Sequence, residues 1–181
     1  MSMIPPARPQ LSIVDARKIL AAYGVTDQTI IIGQRGYFRD SMGLAGKNDR
    51  GQYDDAIIVL SPRVFKTFNA NTDPSKQGDR LAVLEPGVWT MKPWTHHAGT
   101  PHEYPCLIQA EPVTVLRDNG IRETGMFDIE IHQGGYTSTG SLGCQTVWPD
   151  QYEEFKNLWK AEMAFYGMAR IEYLLDIRAD A

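Results

Sequence analysis

Apolar positions recur with two periods along this chain. Near the start, Ser12-Ile13-Val14-Asp15 opens a helical pattern. Ile13, Ala16, Ile19, Leu20 and Tyr23 share one face, Ser12 is placed to cap with Asp15 three residues on, and Gly24 supplies the stop. From Thr29 to about Ile131 the pattern is β. Thr29–Ile32, Ala56–Leu60, Leu81–Leu84, Val88–Met91, Pro112–Leu116 and Met126–Ile131 read as strands, and Asp118-Asn119-Gly120 reads as a hairpin turn. In the last of these strands Phe127, Ile129 and Ile131 fall on one face, with Asp128, Glu130 and His132 on the other. A second helix opens at Trp148-Pro149-Asp150, with Asp150 and Glu153 as a capping-box variant. Tyr152, Phe155, Trp159, Met163 and Tyr166 follow helical spacing to Gly167. Arg170–Arg178 alternates as a final strand. The stretch from Gln34 to Asp55 has little periodicity but is rich in Arg, Asp and aromatic residues, which suits an ordered functional loop. Residues 1–11, with three prolines, read as a loose arm, and 12–181 as a single domain. The fold class is mainly β with a few helices, α+β.

Composition narrows the classes. The chain has 181 residues and a formal net charge of −4. That size suits one core, and that charge argues against a general polyanion-binding surface, so no nucleic-acid partner is expected. Two cysteines are too few for a disulfide framework. No apolar run approaches the ~18 residues of a membrane span. The N-terminal ten residues lack the apolar core of a Sec signal peptide. Synthesis without a Sec address is therefore expected, and a substrate beyond the cytoplasm would require another delivery route.

One segment carries chemistry: Ile131-His132-Gln133-Gly134-Gly135-Tyr136-Thr137-Ser138-Thr139-Gly140-Ser141-Leu142-Gly143-Cys144-Gln145. A histidine sits at a strand end, a Gly/Ser/Thr loop follows, and Ser-x-Gly-Cys closes it. A thiol becomes a good nucleophile when a nearby imidazole takes its proton. A glycine before it admits a close carbonyl and leaves backbone N–H groups for an oxyanion. A buried structural thiol with a surface histidine is the plainer alternative.

This segment resembles the active-site signature of the L,D-transpeptidase catalytic domain, whose histidine and Ser-x-Gly-Cys cysteine process peptidoglycan stem peptides. Leu84–Met91 also resembles the family's strand with a Thr-Pro-x-Gly-x-Phe turn. The resemblance covers roughly residues 81–150. It implies a β-sandwich with the cysteine at the sheet rim, Cys144 as nucleophile, His132 as its base, and Ser141 and Gly143 shaping the oxyanion loop. No cofactor is implied. Gln145-Thr146 stands where the family has an apolar residue and Arg, and Leu142 stands where a second histidine is common. The His-to-Cys loop is also shorter than is typical. With the missing Sec address, these departures favour hydrolysis of stem-peptide amides, in the manner of a lytic enzyme acting on the cell wall, over cross-linking. The pattern looks more like small phage- or secretion-associated members.

Other residues are candidates for substrate contact. Arg35, Arg39 and Arg50, with Tyr37, could clamp stem-peptide carboxylates; pairing with Asp40, Asp49, Asp54 and Asp55 is the competing expectation. Trp94, beside Trp89 and Trp148, could line a groove, and His97 and Gln145 could meet substrate. Asp128 and Glu130 could be a glycosidase pair or could orient His132. His96, His97 and His102, with Cys106, have spacing that a zinc amidase could use. A cell-wall-binding or particle-structural module on the same scaffold is the non-catalytic rival.

Overall fold

The computed structural model describes residues 3–5, 7–26, 28–79 and 81–178. In chain order the elements are α1 (Ile13–Ala22), β1 (Ile30–Arg35), β2 (Asp55–Leu60), β3 (Phe65–Asn71), β4 (Ala82–Leu84), β5 (Gly87–His96), β6 (Tyr104–Gln109), β7 (Val113–Arg117), β8 (Arg122–Gly125), β9 (Glu130–Gln133), β10 (Gln145–Val147), α2 (Pro149–Phe165) and β11 (Ile171–Ile177). The chain is mainly β with two helices, as expected for α+β. Eight strands close in the order β1-β11-β5-β6-β9-β10-β3-β2, and β4-β7-β8 form a separate small sheet.

The expected sandwich is therefore corrected to a closed barrel. Alternation along single strands is the same in both architectures. Closure comes from the last strand, since β11 pairs parallel with β1 on one side and antiparallel with β5 on the other. No free edge remains in that sheet.

Alternate residues of β1 enter different apolar clusters. Ile31 joins Ile57, Phe68, Leu107, Ile131, Val147 and Tyr173, along with Phe155 and Trp159 of α2. Ile30 and Ile32 join Ile58, Leu60, Leu174 and the α1 residues Ala16 and Leu20. Both faces of β1 are covered, which is why its sequence is a continuous apolar run rather than an alternating one. Ala82, Leu84, Val113 and Val115 of the small sheet belong to the first cluster, so the two sheets share one core.

Several local expectations hold. Ser12 caps α1 by accepting from the Asp15 N–H, and Gly24 adopts φ 68° after it. Tyr152, Phe155, Trp159 and Met163 are buried. Others are corrected. Pro149 opens α2 at its first turn, and no side chain caps it. Asp150 instead accepts from the Tyr136 hydroxyl, while Glu153 pairs with Lys156. The Asp118-Asn119-Gly120 turn joins β7 to β8, not to a strand over 126–131. Of that expected strand only Glu130 and Ile131 are strand, at the start of β9; residues 126–129 are irregular, with Asp128 at φ 54°.

The N-terminal residues expected to be loose are tied down. Thr67 donates to the Pro9 carbonyl, Asn69 to that of Ala7, and Arg8 pairs with Glu154 of α2. Residues 179–181 of the expected domain lie outside the described residues.

Candidate active site

Cys144 immediately precedes β10, which runs parallel to β9 with Gln145 opposite Ile131 and Thr146 opposite His132. Ile131 and Val147 sit in the core cluster. The period of two then puts Glu130, His132 and Cys144 on the opposite, outward face. The sulfur accepts from the Glu130 backbone N–H at 3.4 Å and its S–H points to the Asp128 carbonyl at 3.7 Å. Asp128 is one of two non-glycine residues with positive φ among those described. Strain of this kind, of order 1–3 kcal/mol, persists where surrounding packing holds it.

The turn before Cys144 is stapled by Ser141. Its Oγ donates to the Cys144 carbonyl at 2.7 Å and accepts from the Gly143 N–H at 3.0 Å. Ser141 is itself held by Ser75 on both backbone groups. The Gly143 N–H expected to serve an oxyanion is thus engaged within the loop. Gly143 lies at φ 153°, and a Cβ there would sit 2.5 Å from the Ala82 carbonyl oxygen. Only glycine lets the loop lie against β4 in this way.

Gln145 does not face substrate. It is fully buried, donates to the Gly143 carbonyl and accepts from the Tyr173 hydroxyl. It braces the Cys144 turn from inside the barrel.

His132 is 6% exposed, and its Nδ1 lies 2.8 Å from the Gln133 carbonyl. That contact makes Nδ1 the donor and leaves Nε2 with a free lone pair. Burial, with help from neighbouring His96, pushes the imidazole down to about 4. Burial also pushes the half-buried Cys144 thiol up to about 11, against the favourable Glu130 N–H. Among the described residues no hydrogen bond joins His132 to Cys144. His132 and Cys144 thus stand without a direct hydrogen bond in the described structure. Desolvation disfavours the charged form of both groups, lowering the imidazole and raising the thiol.

The other cysteine, Cys106, is fully buried, and desolvation pushes its thiol up as well. It is a free, buried thiol.

A cavity of about 220 Å³ opens beside the sulfur, lined by Ala82, Arg117, Phe127, Ile129, Leu142, Gly143 and Cys144. Leu142 is 67% exposed at its mouth. Arg117 is the cationic side chain on its wall, paired with Glu123 at 2.6 Å and lying over the Phe127 ring. Sequence reasoning missed Arg117. It falls at the end of an unremarkable strand, and only the packing of the small sheet against the Cys144 loop brings it here.

The loop arginines serve the fold. Arg35 is buried and spends its donors on Thr72, whose N–H and hydroxyl in turn bind Asp55. Arg50 makes a bidentate pair with Asp118, and Arg39 donates to the Arg178 carbonyl. Tyr37 accepts from the Gln10 N–H. None of these four residues lines the Cys144 cavity, and each is bonded to other parts of the chain. Trp94 is exposed beside a separate shallow cavity lined by Pro93, Thr95 and Ala98. His97 is exposed, at φ 51°, with its ring 3.9 Å from that of His96.

The histidines regroup. His96 keeps His97 beside it and also stacks on His132, centroids 4.4 Å apart and planes 10° apart. Its Nδ1 hydrogen-bonds the Glu130 carboxylate. His96, Glu130 and His132 form the group of described residues with donor atoms placed to share a metal ion. Asp128 stands outside β9 at φ 54°, while the Glu130 carboxylate is engaged with His96.

Neither family models, nor curated proteins, nor solved structures give a match to this chain.

Proposed function

We propose that this protein is a cysteine acyl-transfer enzyme of L,D-transpeptidase type acting on peptidoglycan stem peptides, with hydrolysis as its principal outcome. The observation that carries this reading is the placement of Cys144. Its sulfur opens on a cavity of about 220 Å³ and is anchored to β9, the strand that bears an imidazole with one ring nitrogen unprotonated.

The chemistry follows from those groups. As substrate enters, the Cys144 proton passes to Nε2 of His132 and the sulfur adds to the amide carbonyl carbon. Collapse breaks the C–N bond, and the His132 proton goes to the departing amine. The resulting thioester is attacked by water, whose proton returns through His132. A thiol near pKa 11 beside an imidazole near 4 makes the ion pair unfavourable at rest. Desolvation of the cavity by substrate and a closer His132–Cys144 approach must accompany attack. Arg117 on the cavity wall would receive a stem-peptide carboxylate. The enzyme would act on the cell wall.

Incubation with defined muropeptides, read by mass spectrometry, tests this. Shortened or cleaved peptides from the wild type and none from Cys144→Ala are expected. The resting thiol's high pKa favours the second reading, a wall-binding module that has kept the scaffold; it predicts muropeptide binding with no mass change.

A further inference from the structure

We propose that His96, Glu130 and His132 form a binding site for a borderline divalent cation such as Zn²⁺, and that its occupancy takes the lone pair His132 would lend to Cys144. The second half rests on the cysteine reading above; the first half does not.

The donor set is two imidazoles and one carboxylate, which suits zinc and its neighbours. The donor atoms lie within 4.8 Å of one another. A tetrahedral ion with ~2.1 Å bonds needs ligands about 3.4 Å apart, so rotation of the three side chains suffices. His96 and Glu130 already touch.

The framework around the ligands is rigid. Glu130 and His132 are two apart on β9, and His96 ends β5. β6 lies between those strands, with Tyr104 opposite His96 and the small, buried Cys106 two residues on, and the His96 and His132 rings stack on each other. The Gln133 carbonyl fixes His132 through Nδ1, the contact that orients a metal-bound imidazole and directs its other nitrogen to the ion.

Burial supplies an independent argument. Glu130 is 9% exposed and His132 6%. A buried carboxylate against two imidazoles gains most from a shared cation. Three protein ligands leave a position open, and His96, the partly exposed member, marks the way in.

The experiment uses the full chain without an affinity tag. Zn²⁺ is titrated in competition with a chromophoric chelator, and Co²⁺ is followed by visible absorption. Cys144→Ala is included so that the thiolate cannot serve as ligand. One equivalent should bind to the wild type and to Cys144→Ala. Affinity should fall at least ~10-fold in His96→Gln and in Glu130→Gln, and stay unchanged in His102→Gln. Should the ligand variants misfold, the wild type alone decides. Co²⁺ should shift the imidazole proton signals of His96 and His132 far more than those of His102. Absence of stoichiometric binding, or binding that follows His102 instead, overturns the site.

Activity separates the two halves. Zn²⁺ that inhibits muropeptide cleavage in step with binding supports both. Zn²⁺ that binds without changing cleavage overturns the blocking step. Zn²⁺ that is required for cleavage, or that binds a protein inert with and without it, leaves the site standing and overturns the cysteine reading.

Discussion

Glu130 meets Cys144 through its backbone and His96 through its side chain: the N–H reaches the sulfur at 3.4 Å while the carboxylate holds the His96 ring. One residue of β9 thus links the Cys144 sulfur to the histidine stack. Its neighbour two along, His132, holds the unprotonated nitrogen that the proposed chemistry needs.

The resting thiol should be slow. Iodoacetamide labelling of Cys144 at pH 7 should lag a free thiol well behind, then rise with pH until the approach to about 11, because only the thiolate reacts. His132→Ala should change that labelling little, since no ion pair is present to lose. The same variant should cut muropeptide turnover by ~10² to 10⁴. Fast labelling at pH 7 that collapses in His132→Ala would instead mean a preformed pair.

Gly143 should tolerate no side chain. In Gly143→Ala the new methyl meets the Ala82 carbonyl at 2.5 Å and the backbone is held at φ 153°. A loss of about 1–3 kcal/mol in urea unfolding is expected, along with turnover. Gly46→Ala makes a control. Gly46 also has positive φ, at 75°, but nothing lies within 4 Å of a Cβ there, so its smaller cost reports backbone strain alone.

Stability should fall as pH rises from about 4 to 8. Burial, then the neighbouring Asp55, pushes Asp54 up to about 8 and Asp73 up to about 7. Arg35 and the Asn48 amide oppose the rise at Asp73. Unfolded aspartates ionise near ~3.9. Above that pH the unfolded chain has lost protons the folded chain keeps, so unfolding becomes easier until the folded groups ionise too. Asp54→Asn keeps an oxygen for the Asp49 N–H and carries no charge. Its urea midpoint should vary less between pH 5 and 8 than the wild type's. An unchanged slope would show that Asp54 is ionised in the fold.

Arg117 should matter for substrate more than for the fold. Arg117→Ala should raise KM for muropeptides bearing a free carboxylate, with a smaller change in kcat. Equal effects on amidated substrate would remove its role as a carboxylate receptor.

Local structure was legible where side chains act on their own neighbourhood. Ser12 with Asp15, the Asp118-Asn119-Gly120 turn and the Tyr152-Phe155-Trp159 face all form as their spacing implies. Partnerships set by register were not. His96 meets Glu130 and His132, 34 and 36 positions away, because β6 brings β5 and β9 to one face. Arg50 finds Asp118 across 68 positions rather than the acids beside it. The barrel itself closes through β1 and β11, the first and last strands, and no pattern within either strand announces that pairing. The motif from His132 to Cys144 put its two ends beside each other, on β9 and at the start of β10, yet could not convey that His132 is buried and Cys144 half-buried, which pushes the imidazole down and the thiol up.

The central claim is an acyl group on Cys144. Wild-type protein is mixed with a defined stem-peptide substrate, quenched in acid within the first turnovers, and digested for peptide mass mapping. The account predicts that the peptide containing Cys144 gains the mass of the acyl fragment, that hydroxylamine removes it, and that Cys106 stays unmodified. Turnover of the substrate with no adduct on Cys144, or turnover that survives in Cys144→Ala, would contradict it.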